Sequence, residues 1–373
     1  MGKQLIIVGA SARAAAQSAI RGGYEPWCAD LFADRDLQKV ATVHRCLPEQ
    51  YPQALAKLID EASLPLDVAV LYTGGLENEP QLIEAVAFDR PLLGCSPYAL
   101  RRVRDPLALP SLPRHRGLRF CKMHRHRPLL SWLFPSLLNK YLIKPCQGTG
   151  GRGIRRWSLA ERVARTDYLQ QYVPGRPVSM VYVGDGWSAR LLGVTEQLIG
   201  DKSFGGDGYR YCGSIGPLML EKAQQAAMVH LGVQLAQRFD LRGPFGVDAI
   251  IARRRGGAIW PVEVNPRYTA SIEVIERTTG LNSLGKGLAI RKMRSRSDAA
   301  IMGKAIVFAR KHVSAPDLYQ WFDAEQIADV PQIGEPIRQG HPVCTVFAHD
   351  TDVSRCRTRL HQLAQTLYTR LDT

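Results

Sequence analysis

The chain has no apolar run near the ~20 residues that a bilayer-spanning helix needs, so a membrane protein of the helical kind is not expected. None of its eight cysteines forms a CxxC pair. That excludes the common zinc modules and a compact disulfide framework, and reduced thiols in a cytoplasmic protein are the simplest reading. The start, Met1 to Gly9, runs straight into a short strand and lacks a long apolar core with a cleavage site, so secretion is not expected. Gly2 is followed by Ile6 where a myristoylation signal wants Ser or Thr. No Gly-Lys-Ser/Thr closes a Walker loop, and Gly9 has no GxGxxG continuation, so neither common nucleotide fingerprint is present. There is no internal repeat, low-complexity tract, RNA-recognition signature or helix-turn-helix cue.

Acidic residues are scarce: 34 Asp and Glu stand against 49 Lys and Arg, a net charge of +15. The basic residues gather at Arg101 to Arg127, Arg152 to Arg156, Arg253 to Arg255 and Arg291 to Arg296. Such a balance fits a polyanionic partner or small anionic substrates. Nucleic acid stays as the alternative for the charge and is not favoured.

The patterning predicts a βαβ opening, with strands at 4–9 and 24–30 around an Ala-rich helix, a helix at 51–63 and a strand at 67–73. This alternation gives a doubly wound, Rossmann-like α/β lobe over residues 1–100. From Ser96 to Trp132 periodicity fades and proline, arginine and histidine are dense. A strand at Tyr141 to Pro145 then meets the loop Gln147-Gly148-Thr149-Gly150-Gly151-Arg152-Gly153. Ser158 with Glu161 three residues on predicts a capped helix. A strand at Tyr168 to Val173, a hairpin through Gly184-Asp185-Gly186, an amphipathic helix at 220–239 and a second hairpin at 246–264 follow. The last seventy residues read as short strands and a closing helix from Asp352.

Chemistry concentrates in Pro261-Val262-Glu263-Val264-Asn265-Pro266-Arg267. On a strand, Glu263, Asn265 and Arg267 share one face, and such a face is not core material. Hard oxygens suit magnesium and the guanidinium suits an anionic oxygen. A solvated edge strand is the competing reading. Asp248 lies on the partner strand of the predicted hairpin, which brings it beside Glu263 or Asn265. Carboxylates converging there repel one another unless a cation intervenes. Gly148, Gly150, Gly151 and Gly153 let backbone N–H groups close over phosphates, and Lys144 before them adds a positive charge. His230 reads as an ordinary helix histidine, and Cys146 as a small loop residue without a catalytic partner.

Lys144 before a glycine loop, the strand ending Gln170-Gln171-Tyr172-Val173, Asp248 and Glu263-x-Asn265-Pro266-Arg267 together resemble the ATP-grasp superfamily. The resemblance covers residues 95 to 290 and implies ATP with Mg²⁺ (or Mn²⁺). It implies Lys144, Gly148, Thr149, Gly150, Gly151 and Gly153 at the phosphates, and Gln170, Gln171, Tyr172 and Val173 as the hinge against adenine. Gln171 departs from the glutamate of many members. Asp248, Glu263 and Asn265 match metal ligands, while Arg267 and Lys202 match the catalytic cations at the acyl phosphate and γ-phosphate. The implied architecture is an N-terminal Rossmann-like pre-ATP-grasp domain (1–100), a two-lobed ATP-grasp domain (101–290) and a small β-rich C-terminal domain (291–373), mixing α/β and α+β. The implied activity is carboxylate–amine ligation through an acyl phosphate. More narrowly the chain resembles the ATP-dependent carboligase branch, which includes tyramine–glutamate ligase of methanofuran synthesis and is linked to pterin one-carbon cofactors. A bicarbonate-using carboxylase of the biotin or purine type and a non-catalytic nucleotide or nucleic-acid-binding protein are the alternatives. Partners are small carboxylate and amine substrates, and a homodimer is compatible with the family.

Overall fold

Strand β1 (Lys3–Gly9) carries five consecutive buried residues, and β2 (Tyr24–Asp30) ends in five more. Between them α1 (Arg13–Arg21) turns its alanines inward. No side chain of α1 caps its start. Asp30 does so from the end of β2, accepting from Ala12 N at 2.6 Å while its other oxygen accepts from Phe32 and Ala33. Burial pushes this carboxyl up to about 6. An acid at this place holds ribose in dinucleotide folds; here it is consumed by the backbone. Gly9 serves strand spacing, since a Cβ there would lie 2.0 Å from Thr73 Oγ1.

A computed structural model describes residues 3–126, 140–158, 161–253, 256–285 and 301–372. The first sheet is parallel, in the order β3-β2-β1-β4, with β3 at Thr42–Arg45 and β4 at Ala69–Tyr72. Helices α2 (Arg35–Gln38), α3 (Ala54–Glu61), α4 (Pro80–Val86) and α5 (Pro97–Val103) accompany it. A second small sheet, β5-β8-β6-β7, holds Met123–His124, Asp167–Gln171, Tyr141–Pro145 and Arg155–Arg156 in that order. Strands β9 (Gly175–Asp185), β10 (Ala189–Ile199) and β11 (Tyr211–Gly216) follow, then helix α6 (Lys222–Phe239). The hairpin β12 (Arg242–Ala252) and β13 (Ile259–Asn265) leads into α7 (Ala270–Thr279). The remainder is β14 (Ile301–Phe308), β15 (Val313–Ser314), β16 (Ile327–Ala328), β17 (Pro336–Ile337), β18 (Pro342–Asp350) and α8 (Val353–Asp372).

Eight of these strands form one sheet, β13-β12-β9-β10-β11-β14-β18-β16. The C-terminal segment is β-rich as expected, but its strands continue the central sheet through the β11–β14 pair. No helix starts at Ser158: residues 159 and 160 lie outside the described set, and Glu161 to Arg165 are irregular. Glu161 is instead paired with Arg155, and its carbonyl accepts from Trp157 Nε1 at 3.1 Å. Strand β8 then starts at Asp167. Helix α7 was not anticipated. The basic run Arg291 to Arg296 lies outside the described residues. Among the described residues no helix is long and apolar enough to cross a membrane.

Buried charge joins the first sheet to the central one. Arg13 of α1 is 1 % exposed and meets both Glu273 of α7 and Asp329, at 3.1 Å and 2.9 Å. Lys304 of β14 donates to Glu273 at 2.7 Å. Burial pushes Glu273 up, but Arg13 and Lys304 outweigh it and hold the carboxyl well below the usual range. A depressed carboxyl stabilises the fold above its unfolded pKa of about 4.3, and that contribution is lost as pH falls below it. Glu273→Gln leaves two buried cations short of a partner and is expected to cost about 3–5 kcal/mol at neutral pH. Urea melts at neutral pH and at about pH 3.5 check this: the gap between wild type and variant narrows in acid.

Candidate active site

The β12–β13 register sets Asp248 directly opposite Glu263 and Gly246 opposite Asn265. Strand alternation then brings Asn265 to the same face as Glu263. Asn265 Nδ2 donates to Asp248 Oδ2 at 3.0 Å. Burial first, and the Glu263 carboxylate second, push Asp248 up to about 6, against hydrogen bonds from Ser179, Asn265 and Gln197. Glu263 goes the other way. Burial raises it, but Lys144 and Arg104 together hold it down at about 2. Lys144 Nζ lies 3.4 Å from Glu263 Oε2, and Arg104 reaches Oε1 at 2.6 Å. Lys144 is 5 % exposed, and Tyr168 and Glu263 raise its pKa despite burial.

Asp248, Glu263, Asn265 and Lys144 line a cleft of about 330 Å³ between the small sheet β5-β8-β6-β7 and the central sheet. Its size is that of a small-molecule site. Gly150 and Gly151 line it, while Gly148 and Thr149 line the adjoining hollow with Arg104 and Lys144. The loop has closed onto the central sheet: Tyr211 N donates to Gly150 O at 3.0 Å. Gly151 is obligatory in this arrangement. Its φ is +77°, and a Cβ would meet the Tyr209 carbonyl oxygen at 1.9 Å.

Gln170, Gln171, Tyr172 and Val173 form one wall. Gln170 Nε2 donates to Val262 O at 2.8 Å, linking the hinge to the Glu263 strand. Gln171 and Tyr172 spend their backbone N–H groups on Lys122 O and Lys140 O, at 2.8 Å and 2.7 Å. The Gln171 side-chain oxygen accepts from Lys122 N. The Arg156 guanidinium lies over the Tyr172 ring at 3.3 Å. Arg267 also lines the cleft, and its Nε pairs with Glu77 at 2.8 Å.

Lys202 is not brought in. It is exposed on a short turn outside this lining, and its carbonyl accepts from Gly205 N and Arg310. Cys146 is half-buried with its thiol pushed up by burial, the reverse of an activated nucleophile. His230 stacks on His115 at 4.1 Å, away from the cleft.

Sequence reasoning missed Arg104, Glu77 and Asn78, along with the hydroxyl-bearing wall of Ser179, Tyr211, Thr269 and Ser271. Arg104 ends α5 and is 159 residues from Glu263. Its only linear signal was membership of a basic run. Thr269 is the N-cap of α7 yet makes no cap bond, and its buried Oγ1 has no hydrogen-bond partner among the described residues.

The family model described as "ATP-grasp domain" matches residues 127–271. No curated protein matches the sequence. Solved structures do match along nearly the whole chain. Biotin carboxylase from Campylobacter jejuni superposes with a TM-score of 0.69 at 12% identity, covering 96% of this chain and 90% of its own. L-amino acid ligase from Bacillus licheniformis gives 0.67 at 15%, with coverages of 98% and 97%. N5-carboxyaminoimidazole synthetase from Staphylococcus aureus, solved with ADP, gives 0.68 at 14%, with 98% and 97%. Residues 127–271 therefore match an ATP-grasp domain, and the chain as a whole has the fold of these solved structures.

Proposed function

We propose that this protein is an ATP-dependent ligase that joins a carboxylate to an amine through an acyl phosphate. One observation carries the reading. Asp248, Glu263 and Asn265 meet Lys144, the glycine loop and Arg267 around a single cleft. Asp248 and Glu263 are register-paired, and burial first and the Glu263 charge second push Asp248 up to about 6, a penalty that a divalent cation held between them would relieve. Two carboxylates and an amide oxygen are hard donors, so the set fits Mg²⁺ or Mn²⁺. Asp248, Glu263 and Asn265 would hold the ion, which would supply charge neutralisation for phosphate oxygens.

The remaining roles fall to the chain's own groups. Lys144 binds nucleotide phosphate, and the Gly148 to Gly153 loop covers it with backbone N–H groups. Gln170 to Val173 flank the base. A substrate carboxylate oxygen attacks the γ-phosphorus, the bond to the β–γ bridging oxygen breaks, and ADP leaves. An amine nitrogen then attacks the acyl carbon and loses its proton, the carbon–oxygen bond to phosphate breaks, and phosphate departs. Arg267 faces the oxyanion that develops on the way. The net charge of +15 favours anionic acids as substrates. Assignment to a one-carbon-cofactor pathway and to a homodimer rests on the sequence resemblance.

Release of ADP from full-length protein with ATP, Mg²⁺ and panels of acids and amines tests the reading. Release that needs both an acid and an amine supports it. Bicarbonate-dependent release without an amine transfers the chain to the carboxylases. Salt-sensitive binding of random DNA without any turnover makes it a non-catalytic binder.

Two substitutions sharpen this. Glu263→Gln should cut ADP release at least ~100-fold while circular dichroism stays unchanged; full activity removes Glu263 from the metal site. Lys144→Ala should weaken ADP binding roughly tenfold or more in calorimetry, the worth of a lost charge-assisted hydrogen bond.

A further inference from the structure

Two of the residues that linear reasoning missed are neighbours on one short turn. Leu76–Asn78 follows β4 and is entered through Gly75 in the left-handed region at φ 99°. Glu77 on this turn is 2 % exposed. One of its oxygens pairs with Arg267 Nε, and the other accepts from Gly75 N at 2.7 Å, tying the carboxylate to its own turn. The next residue faces the other way. Asn78 Nδ2 donates to Gln147 O at 3.0 Å, and its Oδ1 accepts from Arg104 at 3.0 Å. Arg104 in turn donates to Gly148 O at 3.1 Å and to Glu263. Two adjacent residues of the first sheet's connection thus reach Arg267 on one side and the root of the glycine loop on the other.

We propose that Leu76–Asn78 is a positioning strut that couples the Arg267 centre to the glycine loop. Glu77 and Asn78 are positioning residues, acting through Arg267 and through the loop backbone respectively. The turn is held as one rigid piece. Leu76 is fully buried, and the Glu77–Gly75 bond closes the turn on itself. Glu77 lies 2.8 Å from the guanidinium Nε as an ion pair without hydrogen-bond geometry, and Nη1 donates to Tyr268 O at 3.3 Å, so charge and one backbone contact together place the group. An acid arriving at Arg267 and a nucleotide arriving under the loop then bias the same element, and such coupling is reciprocal. The functional consequence rests on the ligase reading; the mechanical linkage does not.

The test reads the loop end after cutting the Arg267 end. Full-length wild type, Glu77→Gln and Asn78→Ala are each held about 10 °C below their own melting midpoint, so that general destabilisation is matched. Trypsin cleavage after Arg152, an exposed residue of the loop, is timed. Affinity for ADP with Mg²⁺ is measured by calorimetry. Asn78→Ala should speed cleavage roughly fivefold by direct loss of its bond to Gln147 O. Glu77→Gln, which loses the Arg267 pair and a charge that also acts on Arg104, should speed it at least ~threefold and weaken ADP to a similar degree, and Arg267→Gln, which leaves the Glu77 charge beside Arg104, should speed it likewise. Glu77→Asp should restore part of both. Cleavage of Glu77→Gln within about 1.5-fold of wild type overturns the strut, whatever Asn78→Ala does. If Glu77→Gln fails to fold, Arg267→Gln cuts the same ion pair from its other side and carries the same readout. If wild type binds no ADP, the ligase reading falls and the cleavage comparison alone decides the coupling.

Discussion

Everything near the cleft hangs on a carboxylate that is itself far from solvent. Glu273 sits on the first turn of α7, the helix that starts three residues after Arg267. Arg13 of helix α1 and Lys304 of strand β14 hold it from two sides. A buried ion group of this kind is poor evidence for extra stability, because desolvation offsets most of the Coulombic gain. Its value is geometric. The three charges can satisfy one another only when α1, α7 and β14 are in place together, so the end of β13 has one position.

At the site itself, one carboxylate serves several masters. Glu263 is register partner to Asp248, counter-ion to Lys144 and acceptor for Arg104. The neutralising cations differ in how they are held. Lys144 is fixed on a strand of the small sheet, whereas Arg104 ends a helix and divides its donors among Glu263, Asn78 and Gly148. Charge in the cleft is therefore balanced by groups drawn from three parts of the chain. No single one of those parts holds a complete site.

What could be read linearly was whatever depends on near neighbours. The glycine loop, the Glu-x-Asn-Pro-Arg run and the hairpin that sets Asp248 opposite Glu263 are all local, because strand alternation and a short turn determine them. Arg104, Glu77 and Asn78 are not, since their partners lie far off along the chain. The misread helix at Ser158 shows the opposite failure. Ser-x-x-Glu is a valid start signal, but Arg155 of β7 claims the glutamate that a capping box would need. Helix α7 escaped because the residues that bury it, Glu273 and Glu276 among them, look like surface until their buried partners are known.

The shared central sheet carries one more consequence. Strand β14 supplies the neighbour of β11, with Gly213 placed against Ala305 and Ser214 against Lys304. A protein trimmed after Leu284 would expose the ladder edge of β11, a row of unmet amides and carbonyls that invites intermolecular pairing. Removing residues 285–373 would therefore yield an aggregation-prone remnant rather than a minimal catalytic fragment. Natural shuffling of that segment would have to preserve a strand at the same seam.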